Sequence, residues 1–216
     1  TGSMDGLSAL FVVIISVGAV AAVLYSRGYL AHCLAEKSPA HISLHYTALV
    51  AMFYAMLGVV LSDGGFSFLF FWELMTVASF LLILFDAQRR EVRRAALSYL
   101  IMMPIGFVLL VIGFVRLDAA CGAATFGALG DYFRTQPGLP LLLVFLAGFG
   151  MKAGLFPMHV WLPEAHPAAP SHVSALMSGV MIKTGVYGIL RVTAALGEQP
   201  LLHTAGVILL AAGVVT

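Results

Sequence analysis

Three charged residues lie inside otherwise apolar stretches of this 216-residue sequence. Glu73 occurs in FLFFWELMTVASF, Lys152 in FLAGFGMKAGLFP and Lys183 in SALMSGVMIKTGVYG. A nearby carboxylate favours the charged form of a buried amine, whereas desolvation without such a partner favours the neutral form. Movement of a glutamate towards or away from a lysine would therefore make the lysine take up or release a proton. These residue types predict a proton relay.

A second interpretation of the three charges is purely structural. Glu73 and one lysine would form an ion pair whose only role is to hold two helices together. Such a pair leaves the other lysine without a carboxylate, so pairing alone does not account for all three charges. The residues favour the relay, and the packing clamp stays open as the alternative.

The stretches around these charges are long enough to cross a membrane, which takes about 20 apolar residues. The chain is 61% hydrophobic and 10% charged, whereas a soluble domain is about 25% charged. We therefore predict an all-α, polytopic membrane helix bundle that forms one transmembrane domain over residues 1–216. About seven helices are predicted, near residues 6–30, 44–62, 66–85, 95–116, 139–158 and 171–193 and from His203 onward. The 117–138 connection is expected to hold a short interfacial helix.

The charges lie well inside these predicted helices. Glu73 is roughly 10 Å, Lys152 about 20 Å and Lys183 about 18 Å from the start of its helix. A charge at the bilayer centre costs at least about 2.5–3.5 kcal/mol. We therefore expect all three side chains to be buried at mid-membrane depth, against one another or along a hydrated cavity.

The helix that carries Lys152 is predicted to break inside the membrane, near residues 152–157. Pro157 disfavours helix just before itself, and Pro163, Pro167 and Pro170 predict a non-helical segment after it. A broken helix is tolerated only where it faces protein or water. Discontinuous helices of this kind are typical of transport sites.

Histidines cluster after this break, at His159, His166 and His172. Imidazoles titrate near neutral pH and can relay protons at a channel mouth. Ordinary interfacial histidines are the alternative. A metal site is not expected, because spacings of seven and six residues fit no standard zinc pattern.

Basic residues predict the orientation of the bundle. Arginines follow the third predicted helix, at Arg89, Arg90, Arg93 and Arg94, while Arg27 and Lys37 follow the first. The positive-inside rule places both connections, and with them the histidines, on the cytoplasmic side.

Several functions are excluded by what the sequence lacks. A net charge of +1 provides no basic face for nucleic acid. Cys33 and Cys121 are isolated and form no cluster for an iron–sulfur centre or haem. We expect no cofactor, no metal and no catalytic centre in the chain itself.

Three motifs carry a family resemblance: FFWELMTVASFLL, KAGLFPMHVWLPEAHPAAPSHVSALMSG and IKTGVYGILR. They resemble the antiporter-like membrane subunits of respiratory complex I, of energy-converting [NiFe] hydrogenases such as formate hydrogenlyase and hydrogenase-4, and of multi-subunit cation/proton antiporters. The resemblance implies helices three to eight and the start of helix nine of a fourteen-helix fold, which make up the first of two half-channels.

The resemblance also implies roles for individual residues. Glu73 is similar to the fifth-helix glutamate of the family and Lys152 to the seventh-helix lysine with which it pairs. Lys183 is similar to the eighth-helix lysine that leads towards the membrane centre. His159 and His172 fall near the cytoplasmic entrance of the half-channel.

By this resemblance the chain translocates protons as a non-catalytic subunit of a redox-driven pump of the hydrogenase or NADH-quinone oxidoreductase type. Its partners would be other membrane and peripheral subunits, in a prokaryotic cytoplasmic (inner) membrane. A cation/proton antiporter subunit without a redox partner is the alternative, and a non-transporting scaffold is a third possibility.

Overall fold

A computed structural model describes residues 4–33 and 37–216 of the chain. These residues form a bundle of α-helices. In chain order the helices are α1 (Gly6–Cys33), α2 (Pro39–Leu61), α3 (Gly65–Ile83), α4 (Arg90–Cys121), α5 (Leu129–Thr135), α6 (Gly138–Ala153), α7 (Leu162–Ala168), α8 (Ser171–Leu176), α9 (Ile182–Ala194) and α10 (Pro200–Val215).

Six spans in the described part of the chain are long and apolar enough to cross a membrane. Helices α1 to α4 form one span each, α6 and α7 together form the fifth, and α8 and α9 form the sixth. The α10 helix is apolar but shorter, and α5 is the short helix expected between the fourth and fifth spans. The prediction of a polytopic membrane helix bundle is confirmed.

The fifth span is broken directly after Lys152, as the sequence predicted. α6 ends at Ala153, and Gly154 adopts a left-handed backbone with φ of 71°. Glycine adopts this conformation without the steric penalty of a side chain, which makes it the usual residue after a helix end. The chain then passes through a 3₁₀ turn at Met158–Trp161 before α7 begins.

The α7 helix corrects one expectation, because the prolines of this segment do not keep it from being helical. Pro163 lies in the first turn of α7, where a missing N–H removes no helical hydrogen bond. Pro167 lies close to the end of this seven-residue helix. Few backbone bonds are therefore lost, and only Pro170, just before α8, ends a helical stretch.

The α6 helix packs between α4 and α9 at very short range. A Cβ atom on Gly185 of α9 would lie 2.6 Å from the backbone nitrogen of Ala153 and 2.8 Å from the carbonyl oxygen of Phe149. A Cβ atom on Gly148 of α6 would lie 3.1 Å from the carbonyl oxygen of Gly106 on α4. Glycines at these crossings let the backbones touch, which fixes the position of the end of α6.

Aromatic rings fill the space between α3, α4 and α6. The ring centroids of Trp72 and Phe149 are 5.5 Å apart, and those of Phe114 and Phe145 are 5.2 Å apart. All four side chains are buried. Large apolar side chains also cover the outside of the bundle, as expected of a surface that faces lipid or other protein.

Candidate functional site

Lys152 lies in the last turn of α6 and is 1% exposed. Its Nζ donates hydrogen bonds to Thr76 Oγ1 at 2.7 Å and to the hydroxyl of Tyr99 at 3.3 Å. The ammonium also lies 5.5 Å from the ring centroid of Trp72, within the range of a cation–π contact. The partners of this buried cation are therefore neutral hydroxyl groups and an aromatic face.

Those hydroxyl groups form a connected network on α3 and α4. The Tyr99 hydroxyl lies 2.6 Å from Ser79 Oγ. Ser79 Oγ donates to the carbonyl oxygen of Met75, and Thr76 Oγ1 donates to that of Trp72. The oxygen atoms of Thr76 and Tyr99 are thus left to accept from Lys152. Thr76 and Ser79 lie on one face of α3, which is reached by Lys152 from α6 and by Tyr99 from α4.

Glu73 is also on α3, three residues before Thr76, and it is half-buried. Its Oε2 atom is buried and has no hydrogen-bond partner among the described residues. The side chain lines an apolar groove of about 740 Å³ between α3 and α4, together with Phe70, Phe107 and Asp118. The carboxylate thus lies in an apolar groove beside the lysine site.

The structure does not join Glu73 and Lys152 in an ion pair, which corrects the pairing expected from the sequence. No ion pair within 4.0 Å involves either residue in the described part of the chain. Glu73 and Thr76, the partner of Lys152, still lie within one turn of each other on α3. The correction has a geometric cause, because the Lys152 ammonium is held by the Thr76 face of α3 while Glu73 projects into the groove.

Lys183 does not join these residues within the chain, which corrects the expectation that all three charges are buried together. It lies on α9, and its side chain is exposed. The next residues, Thr184 and Gly185, face the bundle and are buried. Lys183 therefore projects outward, because the packing of Gly185 against α6 turns it away.

The predicted histidines occupy separate places. His159 lies in the 3₁₀ turn, and its Nδ1 atom is buried without a hydrogen-bond partner among the described residues. His166 Nδ1 lies 3.0 Å from Ser174 Oγ. His172 is buried at the start of α8, where its Nε2 atom lies 2.8 Å from Nε2 of His45 on α2.

Four residues of these contacts were not predicted from the sequence: Thr76, Ser79, Tyr99 and His45. Thr76 and Ser79 follow Glu73 at three and six residues, so the polar spacing along α3 was a signal that could have found them. His45 is a histidine inside an apolar helix, which was a similar signal. Nothing in the sequence connects Tyr99 to Lys152, because the two residues are brought together only by the packing of α4 against α6.

The fold and the site define a polytopic membrane protein with an ionisable residue enclosed beside a broken helix. The chain belongs to the NADH:quinone oxidoreductase/Mrp antiporter transmembrane family, whose model matches residues 62–216. It is 38% identical over 194 residues to hydrogenase-4 component B of Escherichia coli K12, an alignment that covers 88% of this chain and 28% of that protein. It is 41% identical over 194 residues to protein Rv0083 of Mycobacterium tuberculosis H37Rv, which covers 87% of this chain and 28% of that protein.

Solved structures share the fold. A chain of the membrane-bound sulfane sulfur reductase, an archaeal respiratory membrane complex, aligns with a TM-score of 0.74 and 29% identity over 90% of this chain and 30% of its own length. A chain of the Mrp complex from Dietzia sp. DQ12-45-1b aligns with a TM-score of 0.82 and 25% identity over 94% of this chain and 22% of its own. This chain therefore spans less than a third of the length of the proteins it matches.

Proposed function

We propose that this chain translocates protons across the membrane as part of a redox-driven, multi-subunit complex. Glu73, Lys152 and Lys183 form the relay, and His159 and His172 lie at its entrance. The observation that carries the proposal is the buried Lys152 ammonium, which neutral hydroxyl groups hold. Beside it, the Oε2 atom of Glu73 has no hydrogen-bond partner within residues 4–33 and 37–216. Family membership and the likeness to respiratory and antiporter complexes support it.

The proton moves because the surroundings of Lys152 alternate between two arrangements. With Glu73 in the groove, the ammonium lacks a counter-charge, and burial of an unpaired charge is costly. With the carboxylate turned towards Lys152, the ion pair stabilises the protonated amine. Glu73 and Thr76 are neighbours at i and i+3 on α3, so a change of side-chain rotamers is enough to exchange the two arrangements.

Lys183 is the next proton acceptor in this scheme. An exposed lysine in the middle of a membrane span is costly in hydrocarbon, so such residues face protein or water. We infer that the outer face of α9 is covered by a further part of a longer protein or by a neighbouring subunit. Residues 1–216 then correspond to the first half-channel, and Lys183 passes the proton out of it.

The partners in this proposal are membrane and peripheral subunits of a respiratory or hydrogenase-type complex. Hydrogenase-4 component B and the sulfane sulfur reductase chain are themselves parts of such assemblies. The membrane is a prokaryotic cytoplasmic (inner) membrane, with the Arg89–Arg94 connection on the cytoplasmic side.

The direct test is Lys152→Met in the full-length protein within its assembled complex. Proton translocation into vesicles, measured with a pH-sensitive dye, is expected to be lost while the amount of assembled complex is unchanged. Arg134→Met, which removes an exposed charge from α5, is the matched control and keeps normal translocation. Normal proton translocation by the Lys152→Met complex at a normal rate of redox turnover would contradict the proposal.

Glu73→Gln separates the relay from the packing clamp. Because Glu73 makes no ion pair in the structure, neutralising it removes little packing energy. The relay predicts lost translocation in a normally assembled complex. Reduced assembly with intact translocation in the surviving complexes would instead support the clamp.

A cation/proton antiporter without a redox partner is the second candidate, which the likeness to the Mrp complex favours. It uses the same residues and differs only in what drives the transport. An imposed sodium gradient, without electron transfer, would then move protons in vesicles that contain the wild-type complex. Redox-driven transport that does not respond to sodium favours the first candidate.

A further inference from the structure

Two buried histidines from distant parts of the chain meet directly at one end of the bundle. His45 of α2 is 4% exposed and His172 of α8 is 2% exposed. Their Nε2 atoms are 2.8 Å apart, which is hydrogen-bond distance. The contact lies beside Phe85, whose ring centroid is 4.8 Å from that of His45, and therefore close to the basic Arg89–Arg94 connection.

The contact restricts which nitrogen atoms of the two rings can carry protons. A hydrogen bond between two imidazole nitrogens requires a proton on one of them and a lone pair on the other. When both rings are neutral, one ring carries its proton at Nε2, in the contact, and the other carries its proton at Nδ1. The Nδ1 atoms of both rings are buried and have no hydrogen-bond partner among the described residues. Each ring therefore has an unused nitrogen on the side away from its partner.

Among the residues that the structure describes, few charged groups surround the two rings. Tyr25 and Tyr29 of α1 lie beside His172, with ring centroids 6.4 and 5.2 Å away. His41 lies one helical turn before His45, and its Nε2 atom is 2.9 Å from the carbonyl oxygen of Phe85. Tyr46, whose ring centroid is 6.3 Å from that of His45, and the ion pair of Lys37 with Asp86 just past Phe85 also lie near the two rings.

We propose that His45 and His172 form a two-imidazole proton-transfer pair that takes up protons at the basic end of the bundle. This inference rests on the proposed function and adds His45 to it. A proton added at Nδ1 of His45 makes that ring an imidazolium. The proton in the contact then moves from Nε2 of His45 to Nε2 of His172, and His172 releases its own proton from Nδ1. One proton enters and one leaves without movement of either side chain, and both rings end in the opposite tautomer. The rings must return to their starting tautomers, by rotation or by proton exchange, before the next proton passes in the same direction.

A structural clamp between α2 and α8 is the competing explanation. A clamp needs only the Nε2 contact, and it leaves two buried ring nitrogens unsatisfied. Each unsatisfied buried polar group costs about 1–3 kcal/mol, whereas a hydroxyl that donates to a carbonyl group could join the helices and leave no donor unsatisfied. The two unused nitrogens are what proton transfer requires, since a proton must arrive at one and depart from the other.

The transfer step ends at His172 and not at Lys152. No hydrogen-bonded chain links the two sites within residues 4–33 and 37–216. His45 and His172 therefore control how fast protons are supplied, while Lys152 controls whether they cross. Loss of the histidine pair is expected to slow translocation, and loss of Lys152 is expected to abolish it.

The test is His45→Gln in the full-length protein within its assembled complex. The glutamine amide can still hydrogen-bond to Nε2 of His172, but it cannot carry an added proton. We expect the rate of proton uptake by vesicles to fall at least about tenfold, since a positioned acid–base group contributes about 10²–10⁴-fold to proton transfer. His203→Gln, an exposed histidine of α10, is the control and keeps the wild-type rate.

His172→Gln and the double variant extend the test. If the two rings carry out one step, the double variant is no slower than either single variant, because effects within one unit are not additive. In His45→Ala, added imidazole is expected to restore the rate, whereas pyrazole, a much weaker base of the same size, is not. Restoration by both compounds, or by neither in a normally assembled complex, would overturn the inference.

The rates of His45→Gln and Lys152→Met together distinguish failure of the histidine proposal from failure of the proposed function. A wild-type rate in His45→Gln, with translocation lost in Lys152→Met, means that the histidines are only a clamp while the proposed function stands. Normal translocation in both variants removes the proposed function as well.

Discussion

The ammonium of Lys152 donates to the hydroxyl of Thr76 at 2.7 Å, although a carboxylate, Glu73, lies only three residues earlier on the same helix. The lysine thus has a neutral partner, and the Oε2 atom of the glutamate has no hydrogen-bond partner among the described residues. Thr76 and Glu73 both belong to α3, so one helix carries two alternative partners for the Lys152 ammonium.

Thr76→Val removes the nearer hydroxyl while conserving the shape of the side chain. A hydrogen bond to a charged group contributes about 1.5–3 kcal/mol, and about 1.4 kcal/mol corresponds to a factor of ten. We therefore expect proton translocation to slow by about tenfold or more in vesicles. Thr193→Val is the control, because Thr193 Oγ1 bonds only to carbonyl groups of its own helix. Equal rates in the two variants would show that Thr76 is not part of the site.

Gly185→Ala tests whether the contact between α6 and α9 holds Lys152 in place. In the middle of a helix with free space around it, replacing glycine by alanine stabilises the protein by about 0.5–1 kcal/mol. At Gly185 the added Cβ would meet the backbone of α6 at 2.6 Å, and overpacking costs about 1–3 kcal/mol. We expect a lower midpoint of thermal unfolding in detergent. Gly206→Ala, where no atom lies within 4 Å, should leave the midpoint unchanged or raise it.

Trp161→Phe tests how the broken helix is stabilised. Trp161 is fully buried, and its Nε1 donates to the carbonyl oxygen of Met151 at 2.9 Å. Phenylalanine leaves that carbonyl without this donor, at a cost of about 1–3 kcal/mol. We therefore expect Trp161→Phe to begin to unfold at a lower denaturant concentration than the wild type. Tyr54→Phe, at an exposed tyrosine, should have no such effect, and equal stability of the two variants would contradict the role of Trp161.

Asp5 gives the bundle an acid-sensitive contact just before α1. The backbone N–H of Ser8 donates to its carboxylate and, together with the Arg191 guanidinium, outweighs desolvation and holds the pKa of Asp5 below its usual value of 3.8. A lowered pKa in the folded state stabilises the protein above the unfolded-state pKa, and this stabilisation is lost as the pH falls through the folded-state value. Between about pH 6 and about pH 3, the wild type should lose more thermal stability than Asp5→Asn. Parallel pH profiles of the two proteins would show that the contact contributes nothing.

The membrane helices, the break after Lys152 and the family could all be predicted from the amino-acid sequence. Runs of about 20 apolar residues have one stable form in a bilayer, because every backbone polar group must bond within its own segment. Charged residues inside such runs can also be recognised from the sequence, because burying a charge in the bilayer costs free energy and such residues are rare. The sequence also marked His172 as a residue of interest.

Which side chains meet depends on how the helices pack against one another. Helical periodicity gives the faces of a helix but not the neighbour that covers each face. The close packing of Gly185 against α6 turned Lys183 outward, and the packing of α4 against α6 placed Tyr99 on Lys152. The contact of His45 with His172 joins residues 127 positions apart. Such contacts arise from how the helices cross, which depends on many small packing contacts along the chain and not on any single motif.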